Sequence, residues 1–313
     1  MIHLRHILTV TLVALLSAGV YPVAALQSLD DIVALLSKQG VVFDSTNARR
    51  GALEGMVKSI DPGGSLLTPQ EAAAMQKKLA PGGPSALRAV ELWPEGLAYV
   101  GVRQLSAGSG AELIVHLQVL IGGSGVILDL RGTGGMDLPS VVDAVSAYRS
   151  AGEALFTVSG ADSLTNVSIG GARLCAPLMV LVDGDTACAA EVLAAVFKGC
   201  QRVMLIGTPT RGDMRLREMI PLDGGDFIYV ATKRVVPAGD SAGSRPGVQP
   251  DICVTDDTVA DIALPDAVIG GKRPSDQSVR HREILMRVAD DPVLRRATDI
   301  LLGLKALGVH ERP

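Results

Sequence analysis

Residues Pro177 to Arg217 read PLMVLVDGDTACAAEVLAAVFKGCQRVMLIGTPTRGDMRLR. The stretch contains an apolar run from Leu178 to Val182, a turn of small and polar residues, a helix-forming segment over about 187–198, and a second apolar run from Val203 to Ile206. Short continuous runs of branched apolar residues suit strands covered on both faces, so two of them around a helix predict a strand, a helix and a parallel strand. The turn Asp183–Thr186 feeds the start of that helix, where backbone N–H groups lack intrahelical acceptors and the dipole is positive. Cys188 stands at that start.

The same alternation continues upstream. Leu97–Val102 predicts a short strand and 111–120 a helix. GVILDL, Gly125–Leu130, predicts a buried strand ending in the loop Arg131, Gly132, Thr133, Gly134, Gly135. Strands alternating with helices imply an α/β fold with a mainly parallel sheet and helices packed on it. Ligands of such sheets gather at the carboxyl ends of the strands, which sets the Gly134 loop and the Cys188 turn across one crevice.

Around this core, residues 26–85 read as a helical N-terminal arm and hinge. Leu29, Ile32, Leu35 and Leu36 recur at helical spacing, as do Ala52, Leu53, Met56 and Val57. Thr68, Pro69 and Glu71 form a capped helix start, and APGGPS, Ala80–Ser85, reads as the hinge. The core spans 86–256. Residues 257–313 read as a Pro- and Gly-rich loop followed by a C-terminal helix over Arg280–Leu307.

Residues 1–25 have a basic start at Arg5, fourteen apolar-core residues from Ile7 to Val20, and Val23 and Ala25 placed for cleavage. That core is shorter than the ~20 residues a membrane span needs, so the segment reads as a signal peptide and the protein as exported, to the periplasm or cell envelope of a bacterium. Membrane attachment is expected only through this segment, if uncleaved. A pI near 5.8 and a net charge of −4 give no basic field, which excludes nucleic acid as a partner. The four cysteines contain no CxxC pair, so neither a metal nor another cofactor is expected. Cys175 and Cys200 precede two strands expected to be neighbours, close enough for a disulfide; isolated buried thiols are the alternative.

GVILDLRGTGG, PLMVLVDGDTACAAEVLAA, VMLIGTPTRG and ATKRVVPAGDSAGSRPGVQPDI follow one another in an order that resembles the tail-specific proteases, or C-terminal processing peptidases. MVKSIDPGGSLLTPQE resembles the segment before that family's PDZ domain, and GLAYVGVRQL the strand after it. The resemblance covers about 50–256. It implies a Clp protease/crotonase-like core, peptide-bond hydrolysis by a Ser/Lys dyad, and peptide or unfolded-protein C-termini as partners.

Three departures bear on chemistry. Only Met75–Leu92 separates the flanks of the PDZ domain, too little for a module of about 90 residues. The family's nucleophile lies in GSASASE, third before the Glu; counted from Glu191 that position is Cys188, with Thr186 at the first Ser and Ala190 at the last. The family's general-base Lys is matched by Asp213, and the Gln four positions later by Arg217. By resemblance the oxyanion hole comes from the backbone N–H groups of Gly134 and Ala189, beside Gly135. Backbone donors do not depend on the dyad's side chains.

A Cys at a helix start ionises more readily than a Ser, but a neighbouring Asp raises a thiol's pKa. A carboxylate near ~4 is also a poor base for a thiol near ~8.5, an uphill transfer of ~6 kcal/mol. Cys188 therefore reads as a small buried helix-start residue, with a thiol nucleophile and then a redox or metal role as the alternatives. Asp213 reads as a solvated loop carboxylate and Thr186 as a turn residue. Arg211, Arg215 and Arg217 read as paired surface charges, with the holding of an acidic group such as a peptide carboxylate as the alternative. Lys198 and Lys233 are the amines nearest in sequence that could replace the missing base. Two functions follow: a peptidase of the family with an altered dyad, or a non-catalytic relative that binds peptides or scaffolds a partner.

Overall fold

The structure, a computed structural model, describes residues 28–79, 85–119, 123–160, 163–171, 176–239, 247–255 and 276–308. The signal segment, the hinge at 80–84, the loop at 256–275 and Cys175 lie outside the described residues, and with Cys175 lies the expected disulfide. In chain order the elements are α1 (Leu29–Lys38), α2 (Ser45–Ile60), β1 (Ser65–Leu67), α3 (Pro69–Leu79), β2 (Leu87–Leu92), β3 (Leu97–Val102), β4 (Gln104–Leu105), α4 (Ser109–Val119), β5 (Gly125–Asp129) and β6 (Gly134–Gly135). There follow α5 (Leu138–Ser146), β7 (Ala154–Ser159), β8 (Leu164–Val167), β9 (Leu178–Val182), α6 (Cys188–Phe197), β10 (Val203–Gly207), β11 (Arg215–Pro221), β12 (Phe227–Pro237), β13 (Ile252–Cys253), α7 (Asp276–Asp290) and α8 (Pro292–Ala306).

The chain divides into two compact units, 1–66 and 67–313. In the smaller, α1 opens on a capping box: Asp31 N–H donates to Ser28 Oγ at 3.1 Å and Ser28 N–H to the Asp31 carboxylate at 3.2 Å. Asp44 caps α2. Leu29, Ile32, Leu35 and Leu36 share the expected helical spacing, yet all four are exposed.

The larger unit is built on a six-stranded sheet in the order β13–β10–β9–β5–β3–β2. Every neighbouring pair is parallel except β2 with β3 at the edge. The apolar runs are continuous because both faces are covered. Val126, Leu128, Val180 and Val182 belong to one core cluster with Val141 of α5 and Leu193 and Phe197 of α6. Ile127, Met179, Leu181 and Ile206 belong to a second with Leu294, Ala297 and Leu301 of α8. Side chains alternate between faces along each strand, so a run of five apolar residues serves both clusters.

Two features differ from the sequence reading. A second, antiparallel sheet pairs β11 with β12, β12 with β7 and β7 with β8. Its strands β8 and β11 mix polar and apolar residues, as in RLREMIP, and β12 interrupts its apolar runs FIYVA and VVP with Thr232, Lys233 and Arg234. The C-terminal helix is two helices. Asp291 accepts from Leu294 N–H at 2.9 Å and caps α8, while Pro292 has no N–H to continue α7 and its fixed φ suits a first helical position.

One ion network fixes α8 to the sheet. Asp129, at the end of β5, accepts from Tyr99 Oη at 2.8 Å and pairs with Arg88 and Arg131 at 2.9 Å each. Arg131 also pairs with Asp291 at 2.7 Å. Burial would raise the Asp129 carboxyl, but Arg131, Arg88 and Tyr99 outweigh it and hold it below its ordinary value. Burial and the Asp129 charge push the Tyr99 phenol up to about 12.

Candidate functional site

Three loops meet at the carboxyl ends of β5, β9 and β10, and their own side chains tie them. The Asp183 carboxylate accepts from Gly132 N–H at 3.0 Å, Asp185 N–H at 3.0 Å and Thr186 N–H at 2.8 Å, joining the glycine loop to the turn before α6. Thr186 is fully buried in that turn. Its hydroxyl accepts from Asp183 N–H at 3.1 Å and lies 3.0 Å from Leu130 C=O as a donor. From the other side, Ala187 N–H donates to Thr133 C=O at 3.0 Å. The expected meeting of the Gly134 loop and the Cys188 turn is thus made by hydrogen bonds.

The glycine loop needs its last glycine. Gly135 has φ +123°, and a Cβ there would lie 2.1 Å from Leu105 C=O, so no other residue fits without moving the strand pair β4–β6. Gly134 pairs with Gln104 in the same ladder.

The third loop hangs on Glu191. Its fully buried carboxylate accepts from Gly212 N–H at 2.6 Å, from Asp213 N–H at 2.8 Å and from the Thr210 hydroxyl. Thr210 Oγ1 in turn accepts from Val248 N–H at 2.7 Å. Asp213 C=O then accepts the N–H of Cys188 at 3.0 Å. Positions 188 and 213 are neighbours through the backbone.

Cys188 is the first residue of α6, and its φ of +54° lies in the left-handed region. A non-glycine residue there is uncommon, and a strained strand-to-helix turn is the geometry that lifts a nucleophile clear of a sheet. Ala189 follows in the first turn, where N–H groups have no intrahelical acceptor.

Positions 188 and 213 are driven in opposite directions. The half-buried Cys188 thiol is raised by burial and next by the Asp213 charge; Arg217 pulls it down, Glu191 up and Arg211 down, and the net direction is up. Asp213 goes the other way. Burial would raise it, but Arg215 Nε and Arg217 Nη2, each donating at 2.7 Å, hold it below its ordinary value. A thiol held protonated therefore faces a carboxylate held ionised, and a weak base cannot draw the proton from a raised thiol. Asp213 is not a solvated loop carboxylate: its side chain is 16% exposed and that of Arg217 only 6%.

Neither candidate amine serves the thiol. Lys233 pairs with Glu218 at 2.8 Å. Lys198 donates to Gln249 C=O from the C-cap of α6, ten residues along the helix from Cys188, roughly 15 Å at 1.5 Å per residue. The structure thus gathers Thr186, Cys188, Ala189, Asp213 and Arg217, with the Gly134–Gly135 loop tied to them through Thr133 and Gly132. Sequence reasoning passed over Asp183, Thr133 and Glu191 as the holders of the three loops. Glu191 carries a signal that could have been read: a lone carboxylate in the otherwise apolar CAAEVLAAVF has to be buried, and a buried carboxylate needs donors.

Residues 96–254 match the model of peptidase family S41. The chain belongs to peptidase family S41. A carboxyl-terminal-processing protease of Synechocystis sp. is 28% identical over 235 residues, covering 73% of this chain and 55% of that protein. The chloroplastic C-terminal processing peptidase of Tetradesmus obliquus is 30% identical over 135 residues, 42% of this chain and 29% of that one. The chain therefore spans about half the length of the first of these S41 relatives. Among solved structures, a putative peptidase from Parabacteroides merdae superposes with a TM-score of 0.53 at 14% identity, covering 76% of this chain and 85% of that one. A lipoprotein from Streptococcus agalactiae gives 0.51 at 16% identity, with 72% and 84% covered. At these identities the likeness is one of fold alone, and it agrees with the α/β core that the sequence implied.

Proposed function

We propose that this S41 chain is an exported protein that receives peptide or unfolded-protein C-termini in the crevice between the Gly134 loop and the start of α6, and that it does not cleave them by the family's Ser/Lys chemistry. The observation that carries the reading is the pairing of Asp213 with Arg215 and Arg217 at the position of the family's general base. A residue there has to take a proton from the nucleophile, and a carboxylate held by two guanidiniums is the weaker base for it. The backbone part of the site supports retained binding: Gly134 and Ala189 are the candidate oxyanion donors, and the loops that carry them are fully cross-tied. Export rests on the reading of residues 1–25, and the C-terminal partner on the names of the relatives.

A thiol peptidase is the second reading, favoured by the left-handed φ of Cys188 at a helix start. Incubating the mature chain under reducing conditions with an unfolded protein that ends in an apolar tail, beside Cys188→Ala, separates the two. Retention of the substrate without cleavage by either form is the expected result. Cleavage that disappears in Cys188→Ala would overturn it. With no cleavage, Cys188→Ser with Asp213→Lys restores the family's pair in an intact frame, and activity gained there would show that only the dyad had been lost.

A further inference from the structure

β2 is the last strand of the six-stranded sheet, and its outer edge has no partner strand among the described residues. Trp93 N–H donates to Leu97 C=O at 2.8 Å, so by the alternation of an antiparallel ladder Glu91 with Tyr99 and Ala89 with Gly101 are hydrogen-bonded pairs too. The N–H and C=O groups of Val90 and Leu92 therefore point outward, and no described residue bonds them. Free edges are usually blunted by charged side chains. Here Arg88 is engaged by Asp129 at 2.9 Å and Glu91 by Arg287 at 2.7 Å, while Val90 is 40% and Leu92 75% exposed.

This edge is the floor of a groove of about 810 Å³. One wall is α4, which packs on the sheet face of Ala98 and Val100 through Leu113 and Leu117 and brings His116 to the groove. The other is α7, which packs on the face of Leu97 and Tyr99 through Ile284 and brings Arg280, Glu283 and Arg287. A groove between two helix layers and floored by an unpaired strand lies in the plane of the sheet. An extended backbone fits it, because it presents the C=O and N–H groups that Val90 and Leu92 lack. Ala89 packs with the cluster on the α7 side and Glu91 meets Arg287, so Val90 and Leu92 turn to the α4 side. Arg287 is closed on Glu91, which leaves Arg280 and Glu283, both exposed and without an ion pair among the described residues, as the charges of the α7 wall. An incoming strand turns alternate side chains to opposite walls, so its complement has charges of both signs toward α7 and apolar side chains toward Val90 and Leu92. We propose that β2 takes up an extended internal segment of a partner protein as a further strand, one in which apolar residues alternate with acidic and basic ones. The crevice lies at the carboxyl ends of β5, β9 and β10, so this site is separate from it and needs no chain terminus.

Calorimetric titration of the full mature chain with the heptapeptide acetyl-Val-Lys-Val-Asp-Val-Thr-Val amide, beside the same peptide N-methylated at every residue, tests this. The unmethylated peptide is expected to bind at least tenfold more tightly, since methylation removes the donors of the ladder and keeps the side chains. In its complex, hydrogen exchange at the Val90 and Leu92 amides is expected to slow at least tenfold. Leu92→Lys and Arg280→Glu, both at exposed side chains, are expected to lower the affinity at least fivefold without moving the melting temperature. Equal binding of the two peptides, an affinity unmoved by both variants, or no binding at all would each overturn the proposal. The probe ends in an amide, so each of these outcomes leaves the binding of chain termini in the crevice standing.

Discussion

Glu191 and Asp213 share a hydrogen bond, the backbone of one to the side chain of the other, and are driven in opposite directions. Glu191 is raised because burial outweighs the donors from Thr210, Gly212 and Asp213. Asp213 is lowered because Arg215 and Arg217 outweigh burial. Glu191 spends its acceptors on backbone, whose geometry is indifferent to which side chain stands at position 213. Asp213 spends its acceptors on two guanidiniums, which changes the charge the nucleophile position feels. The frame that holds the three loops is therefore independent of which side chain stands at position 213.

Removing the scaffold carboxylate should have the largest effect. Glu191→Ala leaves two N–H groups and a hydroxyl buried without their acceptor, and should cost about 3 kcal/mol or more in urea unfolding. A loss near zero would break the contrast, since position 191 would then carry no frame. Asp213→Asn should cost less, about 2 kcal/mol, because the amide keeps one acceptor while Arg217 loses its counter-charge. The same change should speed alkylation of Cys188 by iodoacetamide at pH 7.5, since it removes the strongest charge acting to raise the thiol. An unchanged rate would show that burial alone sets the thiol. Thr186→Val, which removes the hydroxyl linking Asp183 N–H and Leu130 C=O, should cost about 1 kcal/mol.

The smallest effects are in the pH dependence of stability, and their signs differ. Asp213 lies below its ordinary 3.8 when folded, so its contribution is complete above that value and is lost as the pH falls through the folded value. Glu191 lies above its ordinary 4.5, so stability declines as the pH rises from 4.5 toward the folded value. Unfolding curves from pH 2 to 8 should show the acid-side loss flattened in Asp213→Asn and the later decline flattened in Glu191→Gln. Parallel curves for both variants would remove the distinction between the two carboxylates.

The parallel sheet was legible because its strands are covered on both faces and leave unbroken runs such as Leu178–Val182. The antiparallel sheet was not, since strands such as β11 mix arginines with apolar residues and resemble loop. The break before α8 was present in the sequence as Asp291–Pro292, but the apolar period on either side hides it when read as one helix. At the site, the closeness of positions 188 and 213, joined by Cys188 N–H to Asp213 C=O, agrees with the pairing that the resemblance implies. Their neighbours were not legible: Arg215 and Arg217 stand only two and four residues beyond Asp213, but the mixed run RLREMIP did not mark the strand that turns them onto that carboxylate.

Arg131 belongs at once to the glycine loop and to the network that holds α8, through an ion pair to Asp291 across 160 positions of sequence. A chain growing at roughly 5 to 20 residues per second takes roughly 8 to 30 seconds to cover that distance. During that interval Arg131 of the loop that carries Gly134 has Asp129 as its anion and lacks the second, Asp291. The anchoring of α8 to the glycine loop is therefore made late in synthesis, once Asp291 and the helix it caps have followed the sheet.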